Sequence, residues 1–270
     1  MPKSYERTIY RPSKEQVMSR GIELFTSLAE DYARYRPGYP AEMLDELTRV
    51  CGLTPDWAVA DIGSGTGNLA RLFLEPGHQV TGVEPNCEMR EFAEHLLAEY
   101  KAFRSLDGTA ESIPIEANSV DLVAVGQALH WFDVDKARAE FRRILRPGGW
   151  VAVLWNDRRS DESAFAQEYG ALCRKWTDAQ PALDQAPSID TGVDRLFGSA
   201  VPHEAGFPHT MYFDLEGFLG RVRSSGFLPQ PGTPGHAELT AQLTDLFARH
   251  QREGAVELLY TAQLYVGRLE

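Results

Sequence analysis

Cysteine is scarce, long apolar runs are absent, and basic residues are outnumbered. The three cysteines, Cys51, Cys87 and Cys173, are odd in number, widely spaced and never in a C-x-x-C pair. That pattern suggests neither a zinc knuckle nor a disulfide framework, and three reduced thiols in a cytoplasmic protein are expected. No stretch reaches the roughly 18 consecutive apolar residues that a membrane-spanning helix needs. The first twenty residues hold no apolar segment suited to a secretory signal. Against 27 Lys and Arg stand 39 Asp and Glu, a net charge of -12. So acidic a chain repels a phosphate backbone, so neither nucleic acid nor a membrane is expected as partner. The expected partner is a small-molecule acceptor, met by a monomer or homodimer.

The chain has 270 residues, 43% of them apolar and 24% charged, which supplies a core and argues against disorder. The length suits one domain with an added cap. Pro40 opens a predicted helix with Met43, Leu44, Leu47 and Val50 on one face and Gly52 just past its end. Trp57 to Ile62 reads as a buried strand, followed by a helix through Leu69, Leu72 and Phe73 that stops at Pro76-Gly77. Gln79 to Glu84 is a second strand. Met89, Phe92, Ala93, Leu96 and Leu97 then mark an amphipathic helix. A weak strand near Phe103, a strand from Val120 to Val125, a helix through Ala137, Phe141, Ile144 and Leu145, and a strand from Trp150 to Trp155 complete the alternation. It predicts a doubly wound α/β fold with a mostly parallel sheet.

After Asn156 the pattern changes. Phe165, Tyr169, Leu172 and Trp176 make a helix, and Gln180 to Pro208 reads as a long loop or short helical pieces. Thr210 to Asp214 is a candidate strand, and Leu239, Leu243, Leu246 and Phe247 mark a helix ended by Gly254. Val256 to Val266 alternates with a period of two, most simply as an antiparallel C-terminal strand added at the sheet edge. Four segments result: an N-terminal lid over 1–40, a binding core over 41–156, a helical or loop cap inserted over 157–208, and a C-terminal part over 209–270 that completes the sheet.

The chemistry concentrates at Asp61-Ile62-Gly63-Ser64-Gly65-Thr66-Gly67, where a strand ends and a helix opens. Glycines let the backbone turn and let a ligand approach, and the helix start offers free N–H groups. Glu84 ends the next strand, and in a doubly wound sheet those two strand ends are neighbours beside the ligand crevice. A carboxylate there can accept both hydrogen bonds of a ribose diol. The dinucleotide fingerprint G-x-G-x-x-G is not met, because Asn68 stands where its third glycine would fall. Asp61, just ahead of the turn, would repel a pyrophosphate and favour a ligand bringing a cation. That points to S-adenosyl-L-methionine over a nicotinamide dinucleotide.

The run Val59 to Gly67 resembles the first motif of class I S-adenosylmethionine-dependent methyltransferases, with Glu84 in the place of the ribose-binding acid. Thr109-Ala110-Glu111 with Ile113-Pro114, Asp121-Leu122-Val123 with Gln127 to Phe132, and Ile144 to Gly149 resemble later motifs of that family in order. The likeness covers about Phe25 to Asn156 and is closest to the type 11 domains. Tyr35 to Pro40, His130-Trp131-Phe132 and Trp155-Asn156 look most like the small-molecule branch that includes trans-aconitate methyltransferases. The resemblance implies a Rossmann-like fold and a product, S-adenosyl-L-homocysteine. It implies that Asp61 orders the surroundings of the methionine amino group. Gly63, Ser64, Gly65, Thr66 and Gly67 would lie under the cofactor, and Glu84 with Pro85 would hold the ribose. Met89, Thr109, Ala110 and Glu111 would flank the adenine. Gln127 would lie by the sulfonium, with Tyr32 and Arg36 covering the carboxylate.

His130, Trp131 and Asn156 are candidate acceptor contacts. His130 is also a candidate catalytic base or orienting group, or else a packed ring beside Trp131. Asp133 and Asp135 precede a helix and are read as capping and dipole partners rather than metal ligands. No metal site is expected. The competing readings are a nicotinamide-dependent reductase on a similar sheet and a non-enzymatic cofactor-binding protein. The cap from Asp161 to Pro208, with the N-terminal helix, is expected to select the acceptor.

Overall fold

A computed structural model describes residues 29–177 and 189–270. Seven strands form one sheet in the order β3-β2-β1-β4-β5-β7-β6. They are β1 (Ala58–Ile62), β2 (Gln79–Val83), β3 (Phe103–Leu106), β4 (Val120–Gly126), β5 (Leu145–Arg158), β6 (His203–Phe213) and β7 (Val256–Gly267). The first five run parallel, and β7 lies antiparallel to both β5 and β6. The helices are α1 (Ala29–Tyr35), α2 (Glu42–Cys51), α3 (Asn68–Leu74), α4 (Cys87–Leu96), α5 (Val134–Ile144), α6 (Ala164–Trp176), α7 (Ile189–Phe197), α8 (Leu215–Arg223) and α9 (His236–His250).

Neighbouring strand residues feed opposite layers because side chains alternate across a sheet. Ile62, Val123 and Val125 pack with Phe141 and Ile144 of α5 and with Leu196 and Phe197 of α7. Val59, Leu122 and Ala124 face the other way, against Met43 and Leu47 of α2 and Phe73 of α3. Both faces are thus covered, which is why the central strands read as unbroken apolar runs. A third cluster joins Phe165 and Tyr169 of α6, Phe218 of α8, Leu243 and Phe247 of α9, and Leu258 and Tyr260 of β7. α2 ends as its sequence indicates, with Gly52 at φ 74 returning its N–H to the Thr48 carbonyl.

Three expectations need correction. β7 is not at the sheet edge: β6 is the outer strand and β7 lies between it and β5. β6 begins at His203, well before Thr210. Gly206 and Pro208 read as breakers, yet an outer strand tolerates Pro, and burial alternates along its whole length. Leu96 is 45% exposed, so the apolar face of α4 runs through Met89, Ala93 and the capping Leu97 but not Leu96. The two described helices between residues 157 and 208 belong to different clusters: α6 packs with α8 and α9, while α7 joins the core with α5. Residues 1–28 of the lid segment, and 180–188 of the expected loop, lie outside the described residues.

Sheet order reverses between β1 and β4, which are adjacent although β2 and β3 intervene in sequence. The loops after these two strands open a crevice at that reversal.

Candidate active site

Two adjoining cavities occupy the crevice. The larger, about 200 Å³, runs from Glu84, Pro85 and Met89 past Thr109, Ala110 and Glu111 to His130, Trp131, Trp155 and Phe227. The smaller, about 100 Å³, is walled by Asp61, Ser64, Thr66, Asn156, Arg158, Arg221 and Tyr260. Tyr32, Arg36, Gly63, Gly65 and Gln127 line both. Every site residue expected from the sequence is therefore brought to one crevice, except Gly67. Gly67, at φ 85, lines neither cavity: a Cβ there would come within 2.6 Å of Leu97 Cδ1, so its bareness serves the packing of α3 on α4.

Asp61 is the most unusual group. Its residue is fully buried, and neither carboxylate oxygen has a hydrogen-bond partner. Burial pushes its pKa up to about 8, opposed by the Ala70 backbone N–H, which lies outside hydrogen-bond geometry, and helped by the nearby charge of Glu84. Before a ligand binds, it is mostly protonated at neutral pH. The same cavity is lined by Arg36, half-buried, whose Nη2 donates to the Ser224 carbonyl at 2.8 Å while its Nε lacks a partner. Its guanidinium lies 4.8 Å from the Tyr32 ring centroid. Burial and the charge of Arg221 lower its pKa to about 10, which leaves it cationic. The lining of this cavity thus offers both a carboxyl and guanidiniums.

Glu84 sits at the end of β2, its carboxylate accepting the Gly65 N–H and the Asn86 N–H at 3.0 Å each. Two N–H donors use half of a carboxylate's acceptor capacity, so it can still take a diol. Burial raises its pKa. Asn86 caps α4 by accepting the Met89 N–H at 3.0 Å, which seats Met89 in the cavity wall. Glu111 accepts the Asp133 N–H at 2.7 Å and so ties the loop after β3 to the start of α5.

Gln127 follows β4 at φ 58, a left-handed conformation rare outside glycine. Its N–H donates to the Leu154 carbonyl at 3.1 Å, and its Nε2 to the Asn156 carbonyl at 3.0 Å. Asn156 lines the small cavity, but its side chain is already engaged. Nδ2 donates to the Gly38 carbonyl at 3.1 Å, and Oδ1 meets His209 Nε2 at 2.9 Å. It fastens the segment after α1 to the sheet. The His130 ring is open to the large cavity, with its centroid 4.5 Å from Trp131 and 5.3 Å from Trp155. Enclosure by the cleft walls, and then the charge of Arg36, lowers its pKa, so it is neutral at pH 7. Asp133 stands at the N-cap of α5 without a side-chain capping bond, 3.4 Å from Lys136, and Asp135 pairs with Arg195 at 2.7 Å.

Sequence reasoning missed Arg158, Arg221, Tyr260 and Phe227. Arg158 shares its strand face with Asn156. Arg221 is a lone charge on the apolar side of α8, beside Phe218 and Val222. Those were usable signals; Phe227, in a loop, offered none. Among the described residues, none between Asp161 and Pro208 lines either cavity.

The methyltransferase domain family matches residues 60–153, the stretch from β1 to β5. A methyltransferase-like protein of Schizosaccharomyces pombe is 30% identical over 92% of this chain and 96% of its own. The chain belongs to the methyltransferase family. A methyltransferase of Mycobacterium tuberculosis is 38% identical over 63% of this chain and 67% of its own length. A solved structure from Anaeromyxobacter dehalogenans, named as a type II methyltransferase, superposes with a TM-score of 0.61 at 22% identity. It covers 87% of this chain and 98% of its own, and it shows the shared fold. This methyltransferase is accordingly an enzyme, with the doubly wound sheet and antiparallel C-terminal strand of its class. No helix among its described residues is long and apolar enough to cross a membrane.

Proposed function

We propose that this methyltransferase binds S-adenosyl-L-methionine and methylates a small-molecule acceptor, with S-adenosyl-L-homocysteine as the product. The observation that carries the reading is Asp61, buried with both oxygens unpartnered, facing a cavity that also holds Arg36. An unpaired buried carboxyl is costly unless a ligand answers it. An amino acid tail would do so, with Asp61 holding its ammonium and Arg36 its carboxylate. A diphosphate would set negative charge beside a carboxylate, which weighs against a nicotinamide dinucleotide.

The remaining cofactor residues fit in turn. Glu84 would accept the ribose hydroxyls beside Pro85, with Ser64, Gly65 and Thr66 beneath. Met89, Thr109, Ala110 and Glu111 would enclose the adenine, Gln127 would border the sulfonium, and Tyr32 would cover the tail with Arg36. When bound, the cofactor supplies a methyl group already activated by the positive charge on sulfur. The protein's part is alignment, which can supply about 7–11 kcal/mol. His130, neutral and set between two indoles, would orient an acceptor rather than serve as a strong base, with Trp131 beside it. α1 and the α8 region would cover the crevice, joined by the Arg223–Asp31 pair.

Isothermal titration with S-adenosyl-L-homocysteine and with NADH tests this reading. It predicts binding of the first alone, and methyl transfer to at least one acceptor of a broad panel. Tight NADH binding with none of the homocysteine compound would favour a reductase. Cofactor binding without turnover on any acceptor would favour a sensor.

A further inference from the structure

We propose that the methyl acceptor is a flat, uncharged aromatic or conjugated molecule, seated against His130, Trp131, Trp155 and Phe227, with Phe227 limiting its size. This rests on the cofactor reading above. If adenosine lies by Glu84 and Met89 and the amino acid tail by Asp61, the lining of the large cavity left over includes these four rings.

His130, Trp131 and Trp155 form a continuous surface. His130 lies edge-on to Trp155, with an interplanar angle of 85°, and tilted by 44° to Trp131. Faces and edges so arranged suit offset or edge-on contact with another π system. With the cofactor bound, the charged residues lining this cavity would be taken up: Glu84 by Gly65, Asn86 and the ribose, Glu111 by Asp133, and Arg36 by Ser224 and the cofactor's carboxylate. A charged acceptor group would lose its water here without a counter-charge. A cationic one would also meet Arg36 and the sulfonium nearby.

Phe227 enters from the loop after α8, not from residues 157–208. That loop is fixed to the N-terminal side of the cleft by several bonds. Arg223 pairs with Asp31 of α1 at 2.7 Å, and Ser224 receives Arg36. The Tyr35 ring fits against Gly220, where a Cβ would fall 2.2 Å from it. α1 and α8 therefore act as one cover, and Phe227 is the ring it presents to the acceptor.

The test uses the full chain saturated with S-adenosyl-L-homocysteine. Phenols and hydroxyquinolines are titrated against aliphatic dicarboxylates of similar size, read by quenching of tryptophan fluorescence, and the same panel is assayed for methyl transfer. Flat neutral ligands should bind and the dicarboxylates should not. Phe227→Ala should raise the Kd of the flat ligands roughly tenfold and leave homocysteine-compound affinity unchanged. Phe227→Trp should exclude the bicyclic ligands while still admitting the phenols. Preference for the dicarboxylates, which Arg158 and Arg221 could read, or flat-ligand binding indifferent to both Phe227 substitutions, would overturn the proposal with the cofactor reading intact. Failure of the wild-type chain to bind the homocysteine compound would overturn both.

Discussion

The cofactor reading makes Asp61 a proton donor to solvent on binding. With a pKa of about 8, the carboxyl is about 90% protonated at pH 7, and ionising it there costs about 1.4 kcal/mol, one pKa unit. A ligand ammonium placed against it favours the ionised form. Binding of S-adenosyl-L-homocysteine at pH 7 should then release about 0.9 of a proton from Asp61, offset by about 0.1 taken up by the ligand's own amino group. Titration calorimetry in phosphate and in Tris measures this, because buffers with different ionisation enthalpies convert released protons into different heats. Affinity should rise about tenfold from pH 6 to pH 7 and fall again above pH 8 as the amino group loses its charge. Asp61→Asn keeps the shape and removes the titration, so proton release should vanish and affinity drop. Heats identical in both buffers for the wild-type chain would refute the reasoning.

Other outcomes follow from the same geometry. Asp61 also makes the ligand-free protein pH-sensitive: its folded pKa lies above its unfolded value, so its stability contribution is present below about pH 4 and is lost as pH rises through about 8. Thermal melts of wild type and Asp61→Asn across that range should converge at low pH and separate at high pH, the variant being the more stable. Glu84→Ala should weaken S-adenosyl-L-homocysteine binding by about 1.5–3 kcal/mol, as for loss of hydrogen bonds to a charged group; unchanged affinity in a folded variant would remove Glu84 from the site. Phe218→Ala, at a side chain with no exposed surface, should cost about 3–5 kcal/mol in urea unfolding. Asn156→Ala should speed amide exchange in residues 36–39 with little change in global stability, and equal protection there would show that Asn156 is not the fastening.

The parallel core was legible because its strands are short, apolar and regularly broken by Gly, Pro or an acid. The crevice was legible because a strand, a glycine turn and a helix recur before Glu84 at a fixed spacing. What stayed hidden depends on contacts distant in sequence. β6 carries its buried alternation on His203, Ala205, Phe207 and His209, two of them polar, with Gly206 and Pro208 between. α8 has glycines at 217 and 220 that argue against a helix locally, and it is the Tyr35 ring docked on Gly220, with Asp214 and Phe213 close to Gly217, that explains their presence. Arg221, Tyr260 and Phe227 reach the crevice because β7 returns between β5 and β6, an order that no local pattern encodes. Asn156 lines the small cavity, but sequence could not show that Gly38 and His209 already use its amide.

A crystal structure of the chain with S-adenosyl-L-homocysteine tests the central claim most directly. The account predicts the amino group within hydrogen-bond distance of Asp61, the carboxylate on Arg36 and both ribose hydroxyls on Glu84. A ligand amino group facing solvent, with Asp61 still unpartnered, would contradict it.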